Sequence, residues 1–191
     1  MKKYALCLCL LCFGCATYPM SGYNFKMAKP SSDAPLSYAD DKIDIKFSVE
    51  PMPVKIRAIY NEVGFKLVNK SDKPLTIDWN KISFRDYNGH SGKPVMHEGV
   101  KYAECSSSKI PTTIQPRETI VDAILPCYAL TFMGQYGWRQ EMFPSPPTLP
   151  EVNIGFFLPL QFGDQAVNYD FQFSGQLCTI NEKDAPCIVS K

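Results

Sequence analysis

Apolar and polar residues alternate in short segments along most of the chain, and this two-residue period restricts the folds that it can adopt. In IDIKFSVE, residues 43–50, and again in VNYDFQF, residues 167–173, every second residue is apolar. Successive side chains of a strand point to opposite faces, so this period predicts half-buried β-strands. No window sustains a helical repeat for long enough to compete with that prediction.

Turn residues separate the alternating segments. NKSDKP, residues 69–74, is rich in Asn, Asp and Pro, and the Asn88-Gly89 pair is typical of a tight hairpin turn. Many short strands with turn signals between them predict an all-β fold, an immunoglobulin-like β-sandwich in architecture. The Cys…Trp…Cys spacing of antibody domains is absent. A chain of 191 residues is long enough for one domain with a real core. Candidate strands lie at 43–50, 54–60, 62–69, 75–79, 82–87, 94–100, 112–115, 119–125, 152–160 and 166–177.

The N-terminus has the three-part layout of a secretory signal peptide. Lys2 and Lys3 precede an apolar stretch at residues 5–13, and Gly14 follows it as a small residue. The stretch is too short for a transmembrane helix, which needs about 20 apolar residues. We therefore predict that residues 1–14 are a signal peptide and that the remaining chain is exported.

Gly14-Cys15 after this apolar stretch resembles the lipobox of bacterial lipoproteins, although Cys12 stands where Leu is usual. The resemblance implies cleavage before Cys15 and attachment of lipid to that cysteine. Ala16, where Asp would retain a lipoprotein in the inner membrane, implies the outer membrane with the chain facing the periplasm. The lipid bilayer would then be one partner of the acylated N-terminus. An ordinary signal peptide without lipid attachment is the alternative.

Four cysteines remain after the leader and Cys15. An even number in an exported chain predicts two disulfides, with three possible connectivities. We favour Cys105 with Cys127 and Cys178 with Cys187, because each pair encloses a turn-rich segment. Redox and zinc sites use close pairs such as C-x-x-C, and the sequence has none after the leader. We therefore predict structural disulfides, and neither a cofactor nor a metal.

The remaining segments predict the domain organisation. Residues 15–41 mix Pro, Ser, Ala and Asp, which predicts a lipidated N-terminus and an extended tether. A sandwich domain at 42–177 and a disulfide-closed tail at 178–191 follow.

IDWN at 77–80 and HEGVKY at 97–102 resemble segments of poorly characterised bacterial envelope lipoproteins, whose motifs look structural and imply no activity.

The balance of charge argues against nucleic acid as a partner. Loss of residues 1–14 removes two of the 20 basic residues and leaves 18 against 19 acidic residues, a net charge of −1. Nucleic-acid binding usually requires a basic surface and a high isoelectric point. We therefore exclude DNA and RNA binding.

The longest segment without strand signals, at residues 128–151, is the main candidate for function. It is too long and too rich in proline for a simple hairpin, and loops of this length are usually functional or disordered. Aromatic residues, Met and Arg are enriched at protein interfaces. We favour a surface for other envelope proteins over a flap that completes the core. The predicted partner-binding residues are Phe132, Met133, Tyr136, Trp138, Arg139, Met142 and Phe143.

The other candidate sites are weaker. His90 and His97 flank one predicted hairpin and could join Asp86 and Glu98 around a metal, but such residues are more often exposed turn residues. Trp79 could stack on a carbohydrate, although we expect it to fill the core. No nucleophile, base and oxyanion donor share a recognisable spacing. The sequence thus predicts a non-enzymatic accessory or assembly subunit of an envelope complex, such as a secretion system, with a carbohydrate- or metal-binding lipoprotein as the alternative.

Overall fold

The computed structural model describes residues 20–30, 36–49, 52–54, 57–59, 62–92, 94–136, 138–143 and 148–180. The predicted signal peptide, Cys15 and Cys187 lie outside these ranges. The strands in the described ranges are β1 (Met20–Lys29), β2 (Ser37–Ala39), β3 (Ile43–Ser48), β4 (Met52–Val54), β5 (Arg57–Ile59), β6 (Val63–Asn69), β7 (Leu75–Ile77), β8 (Ser83–Arg85), β9 (Val95–Met96), β10 (Thr112–Ile114), β11 (Thr119–Pro126), β12 (Leu130–Phe132), β13 (Trp138–Gln140), β14 (Glu151–Phe162) and β15 (Gln165–Ile180).

The strands form two sheets and one small hairpin. The first sheet has the order β10-β7-β14-β15-β1-β5-β4, with β8 also paired to β14, and the second has the order β2-β3-β6-β11-β9. The hairpin consists of β12 and β13. Among the described strands every pairing is antiparallel except the short one between β1 and β5. The prediction of an all-β sandwich is confirmed.

The core lies between the two sheets and is rich in aromatic side chains. The ring of Phe47 on the second sheet lies 4.8 Å from that of Phe171 and 5.1 Å from that of Phe173, both on β15 of the first sheet. Each of these strands alternates buried and exposed positions, as the sequence predicts. Interlocking rings from facing sheets are the usual way in which a sandwich excludes water from its centre.

The structure corrects the prediction of a tether at residues 15–41. Residues 20–29 form β1, which pairs with β15 along its whole length, from Met20 opposite Ile180 to Lys29 opposite Gln172. Tyr23, Phe25 and Met27 of β1 are buried in the core. The sandwich therefore begins at Met20 rather than at residue 42, and β15 continues it past the predicted end at residue 177.

Substitution of Gly175 tests whether β1 belongs to the core. Gly175 lies opposite Phe25, and a Cβ atom at this position would stand 2.6 Å from a carbon of the Phe25 ring. We expect Gly175→Val to lower the free energy of unfolding by about 2 kcal/mol, because the added side chain overpacks the core. Urea denaturation followed by circular dichroism measures the change.

Gln176→Val is the matched control, because Gln176 is the next residue of β15 and its side chain is exposed. We expect its effect to stay within about 0.5 kcal/mol of zero. Combining Gly175→Val with Phe25→Leu should cost less than the two single changes added together, since the smaller side chain makes room. If Gly175→Val proved neutral, β1 would not cover β15.

Two polar side chains hold the connections of the sandwich in place. The carboxylate of Asp40 accepts hydrogen bonds from the backbone N–H groups of Lys42 and Ile43, each at 2.8 Å, and from the hydroxyl of Tyr169 at 2.9 Å. Burial alone would raise the pKa of Asp40, but these hydrogen bonds outweigh it and lower the pKa. Asp40 therefore stays ionised at neutral pH and links the turn between β2 and β3 to β15.

Asn69, at the end of β6, is the second of these side chains and is fully buried. Its amide nitrogen donates to the carbonyl oxygens of Lys73 at 2.8 Å and Ile114 at 3.1 Å. The buried amide thus links the turn after β6 to the edge strand β10, and satisfied polar groups of this kind fix one arrangement of neighbouring loops.

Candidate docking surface

Part of the segment at residues 128–151 is buried in the core, and part forms an exposed hairpin. Its base packs into the sandwich, and its middle forms the β12–β13 hairpin, with Leu130 opposite Gln140 and Phe132 opposite Trp138. A 3₁₀ turn at Gly134–Tyr136 lies at the tip of the hairpin. The sequence favoured an exposed partner surface over a flap that completes the core, whereas different residues of the segment lie in the core and on the surface. The β12–β13 hairpin was not predicted.

Met142 and Phe143 are corrected from partner-binding residues to core residues. Both are buried, and the ring of Phe143 lies 5.5 Å from that of Tyr23 and 5.6 Å from that of Phe25. Tyr128, at the start of the segment, donates its hydroxyl to the carbonyl oxygen of Met142 at 3.1 Å. Burial, followed by the nearby Asp86 and Tyr87, raises the pKa of Tyr128, so the hydroxyl remains a donor at physiological pH.

Three other predicted residues are exposed together on the hairpin. Phe132 is 61% exposed, and Met133 and Trp138 are each 43% exposed. The rings of Phe132 and Trp138 lie 5.2 Å apart, so these two side chains form one apolar surface, and Met133 follows Phe132 in the sequence. Only the backbones of Tyr136 and Arg139 are described, so the prediction for their side chains stays a prediction.

Tyr102 contacts the same surface, although it is not among the partner-binding residues predicted from the sequence. Its ring meets that of Trp138 edge to face at 6.2 Å, although 36 positions separate the two residues in the sequence. The predicted disulfide between Cys105 and Cys127 explains this contact and is confirmed, with the Cα atoms 5.8 Å apart. The predicted crosslink could have indicated that Tyr102 lies near the insert, because it joins the 3₁₀ turn at Tyr102–Glu104 to the start of the insert. We call Tyr102, Phe132, Met133 and Trp138 the aromatic patch.

The aromatic patch stands on a braced support. At the base of the hairpin the backbone N–H of Glu141 donates to the carbonyl oxygen of Ala129 at 3.0 Å. Beside it lies an open cavity of about 370 Å³, lined by Met133 of the patch and by Tyr128 and Phe143 of the base. This volume is in the range that admits small ligands or the side chains of a partner.

The histidines do not form a common site. Asp86 accepts hydrogen bonds from the backbone N–H groups of Asn88 and His90, and its other oxygen lies 3.4 Å from Nδ1 of His90. His97 pairs separately with Asp122, also at 3.4 Å. Within the described ranges, no group of three or more His, Cys, Asp or Glu side chains is placed to hold a metal ion.

Trp79 fills the core, and its predicted alternative role as a carbohydrate platform does not fit its position. The indole is 1% exposed, and its Nε1–H donates to the hydroxyl of Thr112 at 2.9 Å. The ring of His97 stacks on it with centroids 4.3 Å apart and planes 15° from parallel. Since one face is covered by His97 and the whole side chain is buried, a sugar ring has no access to it.

The remaining predictions for this part of the chain concern its cysteines and its membrane segments. Cys178 is buried on β15, and its predicted partner Cys187 lies outside the described ranges. Across the residues with described positions, no helix is long and apolar enough to cross a membrane.

Comparisons with protein-family models, with curated proteins and with solved structures give no match to this chain.

Proposed function

We propose that the chain is a lipid-anchored accessory or assembly subunit of a bacterial envelope complex, for example a secretion system, and that it acts by binding another protein. The anchor would be Cys15, after the lipobox-like Gly14-Cys15 pair, on the periplasmic face of the outer membrane. The observation that carries the binding part is the aromatic patch. We propose no catalytic role for the chain.

The chemistry of the aromatic patch supports protein binding. Its four members are uncharged, the rings of Phe132 and the half-buried Tyr102 both contact Trp138, and Met133 is exposed next to Phe132 in the sequence. Aromatic and Met side chains of this kind are enriched at interface centres. Soluble surfaces usually scatter single apolar residues, whereas contiguous apolar patches mark interaction sites.

The support beneath the aromatic patch favours tight binding. The disulfide, the hydrogen bonds at the base and the burial of Met142 and Phe143 hold the hairpin in one position. A surface that is already ordered loses little conformational entropy when a partner binds. This property separates the patch from a disordered recognition segment, which would have to fold on binding.

Removing the two ring side chains of the hairpin tests the proposal. We expect the double substitution Phe132→Ser and Trp138→Ser to remove at least one envelope protein from the set that co-purifies in mild detergent. Loss of a hot-spot residue costs about 2 kcal/mol or more, and each 1.4 kcal/mol is a tenfold change in affinity. Recovery of that protein should therefore fall more than tenfold by quantitative mass spectrometry.

Ile110→Ser with Val121→Ser is the matched control, because it also removes two exposed apolar side chains from the sandwich. Neither double variant should change the unfolding midpoint appreciably, since all four side chains are exposed. An unchanged set of co-purifying proteins for the hairpin variant would refute the proposed docking role.

A further inference from the structure

The position of Met20 fixes the end of the sandwich that faces the lipid anchor. In β1 Met20 lies opposite Ile180 of β15, and near the same end Gln176 of β15 lies opposite Glu151 of β14. The turn between β14 and β15, at Gly163 and Asp164, lies at the other end of this long hairpin. The sandwich thus has an anchor end, at Met20, and a distal end, at Asp164.

The aromatic patch also belongs to the anchor end. The insert that carries it leads directly into Glu151, and Phe143 of the insert packs against Tyr23, three residues after Met20. Two residues along β12 separate Leu130 at the base of the hairpin from Phe132, a rise of about 7 Å. The patch is therefore a short distance from the point at which β1 begins.

Covalent geometry limits how far the anchor end can be from the bilayer. Residues 16–19 are the only ones between Cys15 and Met20. Five extended residues span at most about 17 Å, which is less than the length of β14 as an extended strand. If Cys15 carries lipid, the anchor end of the sandwich must lie at the membrane surface.

We propose that the protein bound by the aromatic patch is embedded in the same membrane, and that the patch docks on the neutral, apolar part of its periplasmic rim. This inference rests on the proposed function, both on acylation of Cys15 and on protein binding by the patch. A patch at the anchor end is held close to the membrane surface, where proteins of the same membrane are concentrated. The periplasmic rim of a protein embedded in that membrane lies at the same distance from the bilayer as the anchor end of the sandwich.

The hairpin is better suited to a protein than to the lipid itself. Its tip is a 3₁₀ turn at Gly134–Tyr136, where backbone polar groups are not paired by the two three-residue strands. Hydrocarbon cannot satisfy such groups, so irregular backbone is avoided where it would contact lipid tails. A protein partner can supply donors and acceptors to the turn and an apolar pocket for Phe132 and Trp138.

Photo-crosslinking from the full-length chain in its native envelope tests the inference. A photoreactive amino acid at position 132 should give adducts with a protein that resists alkaline carbonate extraction, as integral membrane proteins do. The same amino acid at Asp164, exposed at the distal end, is the control and should not give that adduct. Insertion of 20 Gly/Ser residues before Met20 should lower the adduct yield about tenfold, because effective concentration falls as the −3/2 power of linker length.

The outcomes separate the inference from the function on which it rests. An adduct with a protein that carbonate extracts would overturn membrane embedding while leaving protein docking intact. Adducts with lipid alone would overturn both the inference and docking on a protein. Mass spectrometry of the mature N-terminal peptide should find Cys15 acylated, and an unmodified Cys15 would remove the anchor and with it the inference. A yield that ignores the Gly/Ser insertion would also contradict the inference.

Discussion

Trp79→Ala is expected to lower the free energy of unfolding by about 3–5 kcal/mol, the usual cost of emptying a large aromatic site in a core. Trp79 is buried, and its removal would also take away the indole N–H that donates to the Thr112 hydroxyl and the ring on which His97 stacks. Urea denaturation followed by far-ultraviolet circular dichroism measures the loss.

Trp79→Phe is the conservative comparison, because it keeps an aromatic ring for His97 to stack on and loses the hydrogen bond to Thr112 and only part of the buried ring volume. We expect it to cost clearly less than Trp79→Ala. A Trp79→Ala protein of unchanged stability that had lost binding to a cell-wall glycan would favour the carbohydrate-binding alternative and contradict the core role.

Removal of the disulfide between Cys105 and Cys127 should have the next largest effect. The crosslink joins residues 22 positions apart, and in the chain-entropy model closing such a loop stabilises the folded state by about 3 kcal/mol. We expect Cys105→Ala with Cys127→Ala to lower the free energy of unfolding by about that amount, measured by urea denaturation under oxidising conditions.

The same double variant should loosen the aromatic patch. The disulfide joins the turn that carries Tyr102 to the start of the insert, so without it Tyr102 is no longer held against Trp138. Acrylamide should quench Trp138 more strongly, while Trp79 remains protected in the core. A reductant should not change the quenching of Trp138 in the double variant, because the variant has no crosslink at this position. Wild-type stability and quenching in the double variant would show that the crosslink does not brace the patch.

The strands of the sandwich were predictable because each carries its own pattern. The alternation of apolar and polar residues at 43–50 is enough to predict a strand with one buried face, because this two-residue period is a local property of the sequence. β1 carries the same signal in Tyr23, Phe25 and Met27, but the Pro-, Ser- and Asp-rich composition around it predicts a tether for the whole segment. Composition averaged over residues 15–41 thus concealed a ten-residue strand.

The aromatic patch was predictable only in part, because contacts distant in sequence decide which apolar residues of the insert are buried. Met142 and Phe143 resemble Phe132 and Trp138 in residue type, and tertiary contacts, such as those of Phe143 with β1 and with Tyr87, place that pair in the core. Because the composition of residues 15–41 predicts a tether, the sequence gives no sign that β1 covers the insert. Tyr102 reaches the patch through a disulfide between separate segments.

The central claim, that the aromatic patch is covered by a partner in the native envelope, can be tested by thiol labelling of Phe132→Cys. Phe132 is mostly exposed in the isolated chain, so the variant should react readily once it is purified. In intact native envelopes we expect its labelling to fall several-fold, whereas Ile110→Cys, still more exposed, should be labelled equally in both preparations. Equal labelling of Phe132→Cys before and after purification would contradict the account.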